Sequence, residues 1–555
     1  MIKNKLEFFW GTLFAVSMSF LALASCSDSG STSESTVICY IGEPSMDAAG
    51  QGLDTLPLGE SYGPVFAMSS SSDMRSPLGT NLMEPTYWSS QLPLVDIFKC
   101  SRVWLSGDAT TWSNGNPVAV DSDGWVTSVA PGQIVRTQML TSLPVTPSGR
   151  YVMTWDGEGT FQFSGGASEV AGQSTPGRTV VDVTGTVLLY ITDTNPSNYM
   201  RNIRFVREMF ESTSAVWDPE FIGSLADVSC LRFMDMCRTN GSSVQSWSER
   251  PMVSDSRYAS EKGMPYELAV DLANTAGKDA WFCIPHLAND AFITSLADMI
   301  RDNLDPSLKC YIEYSNEVWN SQFEQAQWCE QQGLALGLST NAFRARLYFQ
   351  SQRSVEMFDL FEQSFGSTDR LVRVMASQAG NPWTAQQLLS HNGASSSCDA
   401  MSIAPYFGPN ITDSNLSTFL GMTADDMMDY IEQVSMSLSI GRMHSNHDVA
   451  MSYGLPMIAY EGGQHITGNV SQPNRDAITQ LMIDANRSVR MEKVYKKYLS
   501  SWRMSGGELF VHYNHIGGYS QWGCWGSFEW QGQPISTAPK AKALQAFVEE
   551  NQRWW

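Results

Sequence analysis

The feature that most restricts the fold is a repeated alternation beyond about residue 200. Short apolar runs that end in polar residues take turns with stretches of helical period. The runs cover 228–233, 280–285, 309–314, 370–376, 399–405, 455–460 and 508–513. Near-continuous apolar runs of this length suit strands buried on both faces. Between them, residues 289–303 carry Phe292, Ile293, Leu296, Met299 and Ile300 at helical spacing. Residues 341–365 and 476–502 repeat that period, and Pro539 opens a closing helix over 540–551. Strands joined through helices run parallel. With an eighth strand at 78–82, the pattern predicts an α/β chain whose core is a TIM (β/α)8 barrel.

A different texture separates the first of these strands from the second. Residues 116–200 hold almost no helical signal. Runs at 124–129, 134–140, 151–156, 160–163, 179–183 and 187–192 alternate with Gly, Pro, Asn and Asp. This predicts a small antiparallel β-sandwich-like domain inserted near the N-terminus of the barrel. The expected division is 76–115 for the first barrel strand region, 116–200 for the β-rich domain and 201–555 for the rest of the barrel.

The start of the chain has the form of an export signal. Lys3 and Lys5 precede an uncharged apolar run, Phe8 to Ala24. The run ends Leu23-Ala24-Ser25-Cys26, which resembles a bacterial lipobox. That resemblance implies cleavage after residue 25, lipidation of Cys26, and a membrane-anchored lipoprotein on the cell surface or periplasmic side. The polar stretch after Cys26 reads as a flexible tether and lead-in over 26–75. A small-x-small cut after Ala24 is the alternative, and it gives a secreted protein.

Charge and cysteine content exclude several classes. The net charge is −22, and a chain this acidic lacks the basic face that phosphate contacts need, so no nucleic-acid partner is expected. No C-x-x-C occurs, and Cys230, Cys283 and Cys310 sit inside apolar runs as small hydrophobes. His512 with His515, and His444 with His447, have i, i+3 spacing without an evident third ligand, so no metal and no cofactor are expected. The chain is rich in tryptophan, with 18. Some of these fill cores, and others suit flat platforms for a ligand with apolar faces.

In a TIM barrel, reactive side chains stand at the C-terminal ends of the strands. Reading those ends in order gives Asp235, His286, Asn316 with Glu317, Gln378, Tyr406, Glu461 and the aromatic stretch from His512. Two carboxylates stand out. One lies in Lys309-Cys-Tyr-Ile-Glu-Tyr-Ser-Asn-Glu-Val-Trp-Asn320, the other in Leu455-Pro-Met-Ile-Ala-Tyr-Glu-Gly-Gly463. They end the fourth and seventh strands.

Here the chain resembles the retaining glycoside hydrolases of clan A, barrels with an Asn-Glu pair ending strand four and a lone Glu ending strand seven. The resemblance spans roughly 200–535 and the early strand, and no single family within the clan is identified. It implies a glycosidase with Glu317 as acid/base, Glu461 as nucleophile and Asn316 on the sugar 2-hydroxyl. It also implies that Tyr406 and Arg232 support the nucleophile and that His286 lines the sugar site. Ala404 stands where some families of the clan have histidine. The loop after strand eight, His512 to Trp525, supplies Trp522 or Trp525 as a sugar platform. Trp319 packs beneath the acid/base. Trp125 and Trp155 of the β-domain either bind glycan or brace the barrel. The implied partner is a carbohydrate, with a β-linked polysaccharide or oligosaccharide as substrate. The alternative is a non-catalytic surface glycan-binding lipoprotein on the same scaffold. No Gly-x-Ser-x-Gly, His-Glu-x-x-His or Walker loop supports a hydrolase of another class.

Overall fold

The structure is a computed structural model that describes residues 76–555. The expected signal, Cys26 and the tether lie outside the described residues.

The expected barrel is present. Its strands are β1 (Leu78–Asn81), β2 (Cys230–Arg232), β3 (Asp279–Ile284) and β4 (Cys310–Tyr314). The other four are β5 (Leu371–Ala376), β6 (Ala400–Ile403), β7 (Met457–Ala459) and β8 (Gly507–His512). They form one closed barrel in sequence order, every neighbouring pair parallel, and β8 closes on β1 with Leu78 opposite Phe510. Alternation along each strand separates two buried layers. Cys230, Trp281, Tyr311, Val374, Ile458 and Val511 fill the interior, while Leu231, Phe282, Ile312, Met375 and Met457 face the surrounding helices.

The helices fall where the period places them, with one correction. The stretch 476–502 is two helices, Arg475–Arg487 and Val489–Met504, rather than one. Ser488 parts them. Its backbone is extended, and its side chain accepts from Arg490 N, capping the second helix. A serine within a periodic stretch carries that possibility, but periodicity alone does not reveal it.

The β-rich insertion leaves after β1 and returns before β2. Its two ends run side by side, with Val95 N donating to Val216 O at 2.9 Å and Asp218 N to Pro93 O at 2.8 Å. Its main body is a six-stranded antiparallel sheet. The strands are Leu105–Gly107, Ile134–Met139, Gly149–Asp156, Gly159–Glu169, Arg178–Thr194 and Arg201–Arg207. The sheet therefore takes in strands on both sides of 116–200. The runs 179–183 and 187–192 belong to one long strand that changes partner along one edge. Residues 178–183 pair with 149–154, and residues 187–191 pair with 135–139. Gly185 marks the change, packed so closely on Gly166 that a Cβ at 166 would lie 2.4 Å from its nitrogen. Trp125 is buried here and stacks on Phe98 at 5.6 Å, and Trp155 meets Phe161 edge-on at 4.9 Å. Both tryptophans serve the insertion's own core.

Candidate active site

The site is built around Arg232, the last residue of β2. Its side chain is fully buried, and each of its five N–H donors has a partner. Nε and Nη2 donate to Glu313 Oε2 at 3.2 and 2.9 Å. Nη1 donates to Asn81 Oδ1 at 3.0 Å and to Glu461 Oε1 at 2.9 Å. Nη2 also donates to Asn316 Oδ1 at 2.9 Å. One guanidinium thus ties the ends of β1, β2, β4 and β7 together inside the barrel. Trp281 Nε1 adds a bond to Glu313 Oε2 at 2.9 Å.

The structure brings Arg232, Asn316, Glu317, Tyr406 and Glu461 to this one place. The two glutamates are held differently. Glu461 accepts from Arg232 on one oxygen and from the Tyr406 hydroxyl on the other, at 2.9 Å each. Glu317 accepts only from neutral donors, Tyr460 Oη at 3.2 Å and Asn320 Nδ2 at 3.1 Å. Burial, and next the charge of Glu461, push the Glu317 carboxyl up to about 8. Burial also raises Glu461, but the Arg232 charge and the two hydrogen bonds pull it back. The cation and the phenol thus favour the charged form of Glu461, whereas the neutral donors at Glu317 leave its carboxyl raised.

Local backbone geometry aims the acid. After β4 the chain passes through the left-handed region at Ser315 (φ +57°) and Glu317 (φ +44°). A non-glycine residue there costs about 1–2 kcal/mol, and such strain gathers at functional sites. Asn316, between them, is fixed from two sides. It accepts from Arg232, and its amide donates to Asn240 Oδ1 at 3.1 Å.

A third carboxyl faces the same space. Asp235, beyond β2, accepts from Tyr513 Oη at 2.9 Å. Burial and the Glu461 charge push it up to about 7. An aromatic wall adjoins it. Tyr406 lies 5.0 Å from the His465 ring and 6.4 Å from Tyr513. Trp525 lies 6.1 Å from Tyr513, stacks on His465 at 5.8 Å and donates to His465 Nδ1 at 3.0 Å. Burial lowers His465 to about 4, so this imidazole is neutral.

The structure separates the two candidate platforms. Trp525 belongs to the wall, whereas Trp522 stands 47% exposed on the loop. His286 requires a correction. It lies beside Trp328, rings 6.4 Å apart, in a cavity that neither glutamate lines. The strand ends at Ile284, and Pro285 carries the chain off it before His286. Trp319 donates to Tyr460 Oη at 3.3 Å, behind Glu317. His512 contacts Tyr495 Oη at 3.2 Å, and His515 contacts Ser224 Oγ at 2.7 Å, so each ring is engaged separately in packing.

Several contributing residues went unnoticed in the sequence: Asn81, Glu313, Asn320, Tyr460, His465 and Tyr513. Polar Asn81 and Glu313 inside apolar strands were signals, since a buried charge needs a partner. Tyr460 directly precedes Glu461. His465 had no local signal, because a loop brings it to the wall.

No protein-family profile matches the chain, and no curated protein sequence matches it. Solved structures with some likeness include a 4-O-α-L-rhamnosyl-β-D-glucuronidase from Fusarium oxysporum. It is 14% identical with TM-score 0.36, over 59% of this chain and 64% of that one. A modular endo-β-1,4-mannanase from Cellulomonas fimi is 11% identical with TM-score 0.32, over 57% and 62%. A broad-specificity endoglucanase from Clostridium acetobutylicum is 11% identical with TM-score 0.34, over 61% and 92%. The chain thus spans less than two thirds of the first two proteins. At these values the likeness carries no argument, and the fold rests on the barrel's own strand register.

Replacing Glu461 by Gln removes the neighbouring charge that helps hold the Glu317 proton. The Glu317 pKa should then fall below its value of about 8, as read from the pH titration of its carboxyl carbon by NMR. An unchanged or higher value contradicts the electrostatic coupling described above.

Proposed function

We propose that the chain is a glycoside hydrolase that cleaves β-glycosidic bonds of a polysaccharide or oligosaccharide with net retention. The observation that carries this reading is the asymmetry of the glutamate pair. Glu317 is buried among neutral donors with its carboxyl pushed up to about 8, whereas Glu461 is held by a cation and a phenol. Glycosidic cleavage needs a protonated acid and a carboxylate at once.

In the first step Glu461 attacks the anomeric carbon. The bond to the leaving oxygen breaks, and that oxygen takes the proton of Glu317. Glu461 is then esterified to the sugar. In the second step Glu317, now a carboxylate, takes a proton from water as the water oxygen attacks the anomeric carbon. Glu461 leaves as a carboxylate, and Glu317 is protonated again. Arg232 and Tyr406 stabilise Glu461 whenever it carries charge. The resemblance assigns the 2-hydroxyl to Asn316, and the Trp525 wall offers an apolar face for a sugar ring.

Local charge bears on the sugar. Asp235, Glu84 and the two catalytic candidates are acidic. Arg232 is fully engaged, and Arg238 is paired with Glu84 at 2.6 Å. Among the described residues, neither of these two arginines is left to receive an anionic sugar, which favours a neutral one.

Purified protein incubated with a panel of neutral and anionic β-glycans should release products from at least one neutral glycan. The first-formed anomer should retain its configuration by NMR. kcat/KM should fall above about pH 8, as Glu317 loses its proton. Glu461→Ala should lower kcat by at least about 10⁴-fold. Glu317→Ala should cost about 10²–10⁴-fold on polysaccharide but less on aryl glycosides, whose leaving group departs without a proton. Inverted product, or normal turnover by Glu461→Ala, overturns the mechanism. Glycan binding without turnover by the unaltered protein favours the non-catalytic reading instead.

We also propose, from the lipobox-like sequence, that Cys26 is lipidated and anchors the protein to a membrane. Cells expressing the full chain should incorporate labelled palmitate into it, and Cys26→Ala should abolish the label and move the protein to the soluble fraction. An unlabelled, soluble unaltered chain supports secretion and overturns the anchor.

A further inference from the structure

A cavity of about 370 Å³ lies outside the glutamate site, between the 245 loop, His286 and the helix Glu324–Ala335. That volume is near the lower end of the ~300–1,000 Å³ of small-molecule sites. The helix presents Glu324, Gln327, Trp328 and Gln331 to it, which is one stripe at i, i+3, i+4 and i+7. The opposite face of the same helix is the packed one, through Gln325, Ala326, Cys329 and Gly333. Gln245 and His286 complete the polar lining.

His286 gives the cavity its meaning. The residue is 6% exposed, yet its Nδ1 is buried without a hydrogen-bond partner. A buried polar atom left without a partner costs about 1–3 kcal/mol, and this one belongs to a residue that lines the cavity. Burial lowers the ring to about 4, which keeps it neutral and able both to donate and to accept. Three glutamine amides have the same dual capacity. No basic side chain lines the cavity, and one carboxylate with one imidazole makes a poor metal site. A sugar ring meets these conditions, since its hydroxyls donate and accept and its CH face suits the half-buried Trp328 ring.

We infer that the His286–Trp328 cavity is a second carbohydrate-binding site, selective for uncharged sugar rings and distinct from the glutamate site. This inference rests on the carbohydrate reading above. The two sites share a wall. Gln325, beside Glu324, donates to Asn240 Oδ1 at 2.6 Å and to Asn316 O at 2.9 Å. The cavity thus lies on the Glu317 side. Its occupant is either a distant unit of the glycan being cleaved or a separate glycan strand.

The test uses the full chain carrying Glu461→Ala, with cellohexaose, mannohexaose and xylohexaose as probes in isothermal titration calorimetry. Trp328→Ala, and separately the surface pair Gln327→Ala with Gln331→Ala, should each weaken the best-bound hexaose about tenfold. In the active enzyme the same changes distinguish the two sources. A loss of kcat/KM that grows with oligosaccharide length marks a distant unit of the same chain. A loss confined to insoluble polysaccharide marks a separate strand. Hexaose affinity and polysaccharide kcat/KM unchanged in both variants overturn the second site, even if the enzyme hydrolyses glycans normally. Failure of the unaltered protein both to bind and to cleave any glycan overturns the functional reading itself, a different result.

Discussion

The site depends on one buried guanidinium. Arg232 has no access to water, so its charge has to be balanced inside the barrel, and two carboxylates balance it. Breaking such an arrangement by removing one partner costs about 3–5 kcal/mol, which ties the position of Glu461 to the integrity of the barrel. The same cation decides the chemistry. It bonds one of the facing glutamates and not the other, so the two acids differ in affinity for a proton although both are buried. Tyr406 reinforces the difference on one side, and the neutral donors Tyr460 and Asn320 permit it on the other.

Much of this was legible in the sequence, for definable reasons. Parallel strands buried on both faces leave near-continuous apolar runs, and all eight could be read. Catalytic-type side chains lie where those runs end, so Glu317, Glu461 and Tyr406 could be named by position. What could not be read depends on direction or on long-range contact. The sequence gives no sign that Trp525 turns to His465 while Trp522 faces solvent. His286 follows its strand by two residues, beyond the point where the strand fixes its direction, and lines a separate cavity. Glu313 lies mid-strand, where an acid looks anomalous until Arg232 and Trp281 are seen around it. The partner change along Arg178–Thr194 is likewise a property of two neighbouring strands.

The insertion and the second cavity extend the same logic. The insertion stacks Trp125 on Phe98 in its own core, while Trp112 stays exposed. The helix after β4 divides its faces in the opposite way. One face packs and braces Asn316 through Gln325, and the other lines a cavity with unengaged amides. A single helix thereby links the surroundings of Glu317 to that cavity.

The shared proton should sit on Glu317, with Arg232 keeping Glu461 ionised. Neutron diffraction from deuterium-exchanged crystals at pH 6 tests it without any substrate. A deuteron is expected on a Glu317 carboxyl oxygen and none on Glu461, with a fully deuterated Arg232 guanidinium donating to Glu461. A deuteron on Glu461 with a bare Glu317 would contradict it.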